Sequence, residues 1–510
     1  MTANPYKKLK SGSDIRGTAV EGVKDEMLEL TDDAVFDLIV GFCRWLNEDR
    51  NIAQGKIAVG HDSRVSAERI KKQVVAALGE FDFEIYDCSY ASTPAMFMTT
   101  VDLDCIASVQ ITASHHPFNK NGLKFFTREG GLNGSDIEKI IELAVQPFEK
   151  NNKNPVVVKT DFMSVYAKRL RDMICEGVCA ENYDKPLSGY RIVVDAGNGV
   201  GGFYATEVLE PLGADITGSQ FLEKDGMFPN HVPNPENKDA MNSICKATLE
   251  NKADLGVIFD TDVDRAGCVD ENGKEINRNR LVALAALIAL EDNAGGTIVT
   301  DSVTSTGLTD FINNHLGGIH YRFKRGYRNV INEQLRLQQE GVNCPLAIET
   351  SGHAAFRENF YLDDGAYLIT KIIIKMAQMG KEGKKLDSLI FALNEPVEEK
   401  ELRFKISAED FRAYGNSVIE KLEAYAEEQN DMRIADDNRE GIRVYFDGEN
   451  TKGWLLLRLS VHDPIMPLNI ESDVEGGVKR IAERFMDFVK EMNQLDISPL
   501  VDLLSTESEA

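Results

Sequence analysis

Three times along this chain a short apolar run ends in a polar loop and passes into a helical pattern. Ile57-Ala58-Val59-Gly60 leads into His61-Asp62-Ser63-Arg64 and a helix to about Leu78, with Ser66 as its candidate cap. Arg191-Ile192-Val193-Val194-Asp195 leads into Ala196-Gly197-Asn198-Gly199, and Thr297-Ile298-Val299-Thr300-Asp301 into Ser302-Val303-Thr304-Ser305. Runs of four or five apolar residues are too short for helices and fit buried strands, and a repeated strand, loop and helix builds α/β layers with mostly parallel sheets. The order predicts an α/β fold of three related mixed domains, over residues 1–155, 156–294 and 295–397. The last segment, 398–510, reads differently: strands over 401–406, 441–446, 453–459 and 468–471, a helix over 408–427, and a final helix carrying Val478, Ile481, Phe485, Phe488 and Met492 on one face. That pattern predicts a smaller α+β domain, with a frayed acidic tail beyond Pro499.

Charge narrows the partners. Lys and Arg number 57 against 83 Asp and Glu, a net charge of −26, so the field of the whole surface repels polyanions and argues against nucleic acid. An anionic small substrate then needs a local basic cluster, and Lys324-Arg325-Gly326-Tyr327-Arg328 is one. The eight cysteines are scattered without a paired framework, as expected of reduced thiols in a cytoplasmic protein. The longest apolar run, 281–290, is too short to span a bilayer and is expected to be a buried helix, so no membrane partner is expected.

Four polar stretches carry the candidate chemistry. Thr112-Ala113-Ser114-His115-His116-Pro117 follows an apolar strand and presents a hydroxyl beside two imidazoles, a candidate nucleophile loop. Asp260-Thr261-Asp262-Val263-Asp264-Arg265 places three carboxylates after the apolar run 255–259. If the chain bends there, they converge on one hard cation, magnesium with its remaining ligands from phosphate and water. An EF-hand is excluded because Arg265 stands where that loop needs glycine. Glu349-Thr350-Ser351-Gly352-His353 offers donors and acceptors matched to vicinal sugar hydroxyls. Arg458-Leu459-Ser460-Val461-His462-Asp463-Pro464 pairs an arginine with a hydroxyl, a combination that clamps phosphate. Against these, Gly197-Asn198-Gly199-Val200-Gly201-Gly202 literally satisfies a dinucleotide fingerprint, with Asp215 at the ribose distance, which keeps an oxidoreductase open.

In this order the four stretches resemble the α-D-phosphohexomutase superfamily, most closely its bacterial phosphomannomutase/phosphoglucomutase group, over nearly the whole chain. Supporting matches are Asp14-Ile15-Arg16-Gly17, Gly60-His61-Asp62-Ser63-Arg64, Asn121-Gly122-Leu123-Lys124, the segment 229–236 and Asp363-Asp364-Gly365. The resemblance reduces the glycine fingerprint to a family turn. It implies four domains around a central cleft and a phosphotransferase that interconverts hexose 6-phosphate and hexose 1-phosphate of mannose or glucose. Phosphorylated Ser114 would form a hexose 1,6-bisphosphate, which also serves as activator. Mg2+ would sit on Asp260, Asp262, Asp264 and Ser114. Arg265 would stabilise transferring charge, and Lys124 would act as general acid and base with Arg16, His115 and His353 as helpers. Glu349, Ser351 and His353 would hold the sugar, and Lys324, Arg458, Ser460 and His462 the phosphate that is not reacting.

Two departures bear on substrate choice. His116 stands where the family usually has asparagine, and the last loop reads Arg-Leu-Ser-Val-His-Asp-Pro in place of Arg-x-Ser-Asn-Thr-Glu-Pro. Phosphoglucosamine mutase is the alternative inside the family. A magnesium-dependent sugar-phosphate phosphatase and a non-catalytic sugar-phosphate binder are the alternatives outside it. A monomer or small homo-oligomer is expected.

Overall fold

The computed structural model of the protein describes residues 4–151, 153–460 and 463–505. The chain falls into two compact units, one of Met1–Asn293 with Pro345–Phe391, the other of Ala294–Cys344 with Ala392–Ala510.

In the first unit, strands β1 (Lys10–Ser11), β2 (Asp14–Thr18), β3 (Gln54–His61), β4 (Asp82–Tyr90), β5 (Ala107–Ile111), β6 (Lys120–Thr127) and β8 (Val156–Lys159) form a sheet in the order β1-β2-β6-β5-β3-β4-β8, with β7 (Gly130–Gly131) on β6. β3 runs parallel to β4 and β5, whereas β6 returns antiparallel to β5 and β2. This register puts the ends of β5 and β3 side by side, so the serine loop and His61-Asp62-Ser63-Arg64 leave the sheet together. Helices α1 (Asp32–Arg50), α2 (Ala67–Gly79), α3 (Thr93–Asp102) and α4 (Gly134–Ala144) accompany it. α1 forms because Val35, Leu38, Ile39, Phe42 and Leu46 recur at helical spacing, all with no exposed surface. Each such burial contributes about 1.5–3 kcal/mol. Thr31 Oγ1 accepts from Ala34 N–H at 3.1 Å, and Asn51, at φ 56°, ends the helix in the left-handed region. Ser66 precedes α2 without capping it; its hydroxyl accepts instead from Asn121 Nδ2 at 2.9 Å.

After α5 (Phe162–Val178), β9 (Ile192–Asp195) pairs parallel with β10 (Leu255–Phe259), and β11 (Ala266–Asp270) and β12 (Glu275–Ile276) add antiparallel outside β10; α6 (Lys238–Glu250) precedes β10. The expected buried helix is α7 (Asn279–Glu291), in which 281–286 have no exposed surface. The glycine-rich turn after β9 leads into a short π-helical stretch, Tyr204–Leu209, and not into an α-helix.

The chain then builds β13 (Thr297–Asp301), α8 (Thr306–Asp310), the parallel β14 (Ile319–Phe323) and α9 (Tyr327–Gln339) in the second unit. It returns to the first for the antiparallel strands β15 (Leu346–Ile348), β16 (Ala354–Phe356) and β17 (Leu362–Asp363) and for α10 (Gly365–Lys381), which packs on α5. The final segment in the second unit is an antiparallel sheet of β18 (Glu398–Lys405), β19 (Arg433–Ile434), β20 (Ile442–Phe446), β21 (Gly453–Leu457) and β22 (Ile465–Ser472), in the order β18-β22-β21-β20-β19. Against it lie α11 (Phe411–Glu427), which starts three residues later than its apolar pattern because Asp410 accepts from Ala413 N–H at 3.0 Å, and α12 (Gly477–Val489). The tail expected to fray forms α13 (Ser498–Ser505), because Leu500 finds full burial in this core; residues 506–510 lie outside the described residues.

Candidate active site

The serine loop is held by its backbone. Arg64, 2% exposed, donates to the carbonyls of Ser114, His116 (2.6 Å), Pro117 (2.6 Å) and Lys120 (2.9 Å). Asp62 Oδ2 lies 3.2 Å from Arg64 Nε and accepts from Thr112 Oγ1 at 2.7 Å, while Thr112 Oγ1 accepts in turn from Ser114 N–H at 2.9 Å. With the loop tied down on one side, Ser114 adopts φ 51°, a left-handed conformation rare outside glycine. Its Oγ donates to Asp260 Oδ2 at 2.9 Å and lies 3.2 Å from His115 Nδ1.

The aspartate loop turns at the end of β10 because Val263 takes φ 67°, an outlier for a β-branched residue, which folds the chain back so that Asp260 N–H reaches Arg265 O at 3.3 Å. Asp260, Asp262 and Asp264 are fully buried, and each offers an oxygen within 4.8 Å of the others. Gly199 and Gly365 permit the crowding behind this loop: a Cβ on Gly199 would stand 2.5 Å from Thr261 O, and one on Gly365 2.6 Å from Arg265 C. Gly199 is thus required by packing against the aspartate loop, and Asp215 pairs with Arg191 at 2.6 Å, which accounts for the apparent dinucleotide fingerprint without a nucleotide.

Lys124 lies on β6, 3% exposed. Its ammonium donates to Asp262 Oδ2 at 3.1 Å and to Asp264 Oδ2. From α3, Thr93 Oγ1 donates to the same Asp262 oxygen, and Thr93 N–H to Asp262 O at 2.8 Å. Among the described residues, Asp262 Oδ1 and Asp264 Oδ1 are buried with no hydrogen-bond partner. Three converging carboxylates, two of them with an orphaned oxygen, fit a divalent ion with oxygen ligands. Electrostatics agree: burial, then Asp264 and Asp262, holds the Asp260 carboxyl well above the usual range. For Asp264, burial acts upward, but Lys124 and His353 outweigh it and hold the group well below that range.

The sugar-type loop joins the cluster from the turn between β15 and β16. Ser351 Oγ lies 2.9 Å from His353 Nδ1, Glu349 Oε2 lies 3.4 Å from the same atom, and His353 Nε2 faces Asp264 Oδ1 at 3.5 Å. Arg265 Nε lies 3.2 Å from His353 Nε2, and Arg265 Nη1 lies 3.5 Å from Glu236. Burial and Arg265 press the His353 imidazole down, but Asp264 and Glu349 prevail and hold it at about 9. Arg265, burial and His116 push His115 in the opposite direction, far below the usual imidazole range; burial, then Arg16 and Arg64, lowers His116 to about 3. Arg16 ion-pairs with Asp14 at 2.8 Å.

Ser114, His115, Lys124, the three aspartates, Arg265, Glu349, Ser351 and His353 therefore form one connected network in the first unit. Thr93, Glu236 and Asp363 also belong to it; Glu236 and Asp363 lie in stretches that support the family resemblance without a role of their own. Thr93, in Ser92-Thr93-Pro94, reads in the sequence only as a helix start. Asp363 approaches Asp264 and His353, and burial followed by Asp264 raises it to about 7.

In the second unit, Arg458 and Ser460 extend the β21–β22 ladder, with Arg458 N–H on Pro467 O at 3.1 Å and Ser460 N–H on Ile465 O at 2.9 Å. Among the described residues Arg458 Nε is buried without a hydrogen-bond partner; burial lowers its guanidinium, and Glu440, Arg325, Glu401 and Asp301 are charged neighbours. Lys324 is exposed just past β14, and Arg325 N–H donates to Glu440 Oε2 at 3.1 Å. His462, expected to contact phosphate, lies outside the described residues, as does Val461.

A phosphomannomutase/phosphoglucomutase from Pseudomonas syringae pv. tomato is 29% identical over 448 residues, covering 88% of each chain. A phosphoglucomutase from Neisseria gonorrhoeae is 29% identical over 89% of this chain and 92% of its own. A phosphoglucosamine mutase from Sulfurovum is 29% identical over 78% of this chain and 87% of its own. Among solved structures, a phosphoglucomutase/phosphomannomutase family protein from Burkholderia thailandensis superposes with a TM-score of 0.77 at 24% identity, covering 97% of this chain and 98% of that one, which establishes the shared fold. Sequence models described as phosphoglucomutase/phosphomannomutase, alpha/beta/alpha domains I, II and III, match residues 7–183, 165–273 and 277–396 in the same order. With three consecutive domain models spanning most of its length, the chain belongs to the phosphoglucomutase/phosphomannomutase family.

Proposed function

We propose that this protein is a phosphohexomutase that interconverts hexose 6-phosphate and hexose 1-phosphate, of mannose or glucose, through a phosphoserine at Ser114 and a hexose 1,6-bisphosphate. The observation that carries the reading is the contact of Ser114 Oγ with Asp260 at 2.9 Å, inside a buried cluster with room for a divalent ion and next to the Glu349-Ser351-His353 turn. Asp260, Asp262, Asp264 and Ser114 would hold Mg2+, which supplies charge neutralisation at phosphoryl oxygens. Phosphoryl transfer asks the protein mainly for positioning and electrostatics. Lys124, buried against the metal-binding carboxylates, is assigned the proton at the reacting sugar oxygen. Arg265, fixed by Glu236 and His353, faces the transferring charge. Glu349, Ser351 and His353 hold the sugar hydroxyls, and Arg458, Ser460 and Lys324 are assigned the phosphate that is not reacting, a grip that serves both isomers.

In this scheme Lys124 would enter as the neutral amine, its proton released as Mg2+ takes over the aspartates; the phosphoryl group leaves Ser114 Oγ for a hexose monophosphate hydroxyl, the hydroxyl proton passes to Lys124, and the Ser114 alkoxide would be neutralised by the ion. The bisphosphate then returns its other phosphoryl group to Ser114, so phosphate is conserved. The test is a coupled assay on glucose 1-phosphate, mannose 1-phosphate and glucosamine 1-phosphate with Mg2+ and a trace of hexose bisphosphate, together with intact mass. The wild type should carry one phosphate and release no inorganic phosphate. Ser114→Ala should lose the added mass and at least three orders of magnitude in turnover. Stoichiometric phosphate release would identify a phosphatase instead. Preference for the amino sugar would favour the activity named for the Sulfurovum relative.

A further inference from the structure

Between β5 and β6 the serine loop is gathered by one side chain to which the proposed chemistry gives no part. Arg64, its side chain fully buried, donates from Nη2 to the carbonyls of Ser114 and His116 and from Nη1 to those of Pro117 and Lys120. Its own backbone N–H donates to Asp62 Oδ1 at 3.0 Å, and Asp62 Oδ2 accepts from Thr112 Oγ1. The base of this clamp is fixed as well. His61 Nδ1 lies 2.8 Å from the Asp62 carbonyl, and Phe228 covers the guanidinium, its ring centroid 5.2 Å from Cζ. Gly226 lets that cover approach, because a Cβ there would stand 2.3 Å from Ser63 O.

The four acceptors are backbone carbonyls, so the same contacts are available whether Ser114 Oγ carries a proton or a phosphoryl group. One of them belongs to Ser114 itself, at φ 51°, a conformation that persists only where surrounding contacts impose it. A planar fork can meet carbonyls spread over residues 114–120, whereas the three N–H bonds of a lysine diverge from a single nitrogen.

Resting on the phosphoserine reading above, we propose that Arg64 is the positioning residue for the nucleophile in both halves of the reaction. It holds Ser114 Oγ at Asp260 while the phosphoserine gives up its group, and it holds the freed oxygen there until the turned bisphosphate returns one. In the first half the P–O bond at Ser114 breaks as one forms at the sugar hydroxyl, whose proton goes to Lys124. The second half reverses both for the other phosphate, so no further reactant is needed. Escape of the bisphosphate to solvent competes with the second half alone, and it depends on the grip on the sugar and its far phosphate. A serine that wanders therefore lowers turnover and also lets the intermediate leave.

Arg64→Lys should lower kcat about 100-fold, the scale of a misplacement of roughly 1 Å, with KM and Mg2+ affinity nearly unchanged. Starting from phosphoenzyme carrying radiolabelled phosphate and unlabelled glucose 1-phosphate, labelled glucose 1,6-bisphosphate should appear free in solution in a larger fraction of turnovers than with wild type. Added glucose 1,6-bisphosphate should accordingly raise the steady-state rate of the variant more than that of the wild type. A wild-type kcat overturns the proposal, as does a fall in kcat with no rise in free bisphosphate. A joint loss of kcat, substrate affinity and Mg2+ affinity, which is what general damage to the site produces, also overturns it. If Arg64→Lys does not fold, Thr112→Val decides, because it cuts the link from Asp62 to Ser114 N–H; unaltered release of bisphosphate there overturns the proposal. Wild-type protein that never carries phosphate on Ser114 defeats the phosphoserine reading and this proposal together, whereas a phosphorylated wild type beside a fully active Arg64→Lys defeats this proposal alone.

Discussion

Asp262 has one oxygen committed and one open, and the commitment comes from a residue 169 positions earlier in the chain. Thr93 and Lys124 both donate to Oδ2, which leaves Oδ1 as the atom presented to a cation and favours single-oxygen coordination over a chelating carboxylate. Thr93 is a positioning residue: it fixes a ligand and need not touch substrate. A hydrogen bond to a charged group is worth about 1.5–3 kcal/mol, so Thr93→Val should weaken Mg2+ affinity roughly 10- to 100-fold. Isothermal titration, or Mn2+ binding followed by EPR, measures this without turnover. Thr93→Ser should restore affinity, and at saturating Mg2+ the valine variant should recover most of its kcat. A kcat that stays low at all Mg2+ concentrations would mean that Thr93 does more than orient Asp262. No sequence reading could have found this contact, because threonine before proline is also what any helix start looks like, whereas three aspartates in five residues declare themselves.

His231 shows the same principle acting on a whole segment. The stretch that carries it also carries Glu236, the partner of Arg265, and it is locked to β9 by one imidazole. His231 Nε2 lies 3.0 Å from both oxygens of Asp195, and Nδ1 lies 3.0 Å from Val232 O, so both ring nitrogens face acceptors. Burial works against the charged ring, but the Asp195 carboxylate prevails and raises its proton affinity above the ordinary value of 6.5. A raised folded-state value means that the stabilisation is fully present below 6.5 and is lost as pH climbs through the folded value. Urea unfolding at pH 6 and pH 9 should therefore show a larger loss of stability on the alkaline side in the wild type than in His231→Gln. Equal losses would show that the ring is neutral in the fold. At this scale the sequence was largely legible. The apolar runs became β3, β5, β9, β10 and β13, and the 281–290 run became α7, because burial of short apolar runs leaves few alternatives. What failed depended on tertiary partners: Ser66 gave up capping for Asn121, and the tail expected to fray found a pocket for Leu500.

The division of the whole molecule could not be read from local pattern. The chain crosses to the second unit at Ala294, returns at Pro345 and leaves again after Phe391, so that Glu349 and His353 belong to the same compact unit as Asp264. A strand-loop-helix pattern marks elements but not which core each one joins. This partition has an energetic consequence. Among the described residues, both groups of three side chains able to hold a metal ion, Asp260-Asp262-Asp264 and Asp264-His353-Asp363, lie in the first unit. A ligand that binds only the folded state adds about 2.7 kcal/mol at 100 times its dissociation constant. Mg2+ should therefore slow hydrogen exchange in peptides covering 107–127, 255–270 and 346–363, relative to protein treated with EDTA. Peptides covering 398–405 and 442–457 should exchange at the same rate with and without the ion. Asp262→Asn should abolish the slowing while leaving the EDTA pattern intact. Equal protection of both units by Mg2+ would show that the ion stabilises the chain through contacts beyond these aspartates.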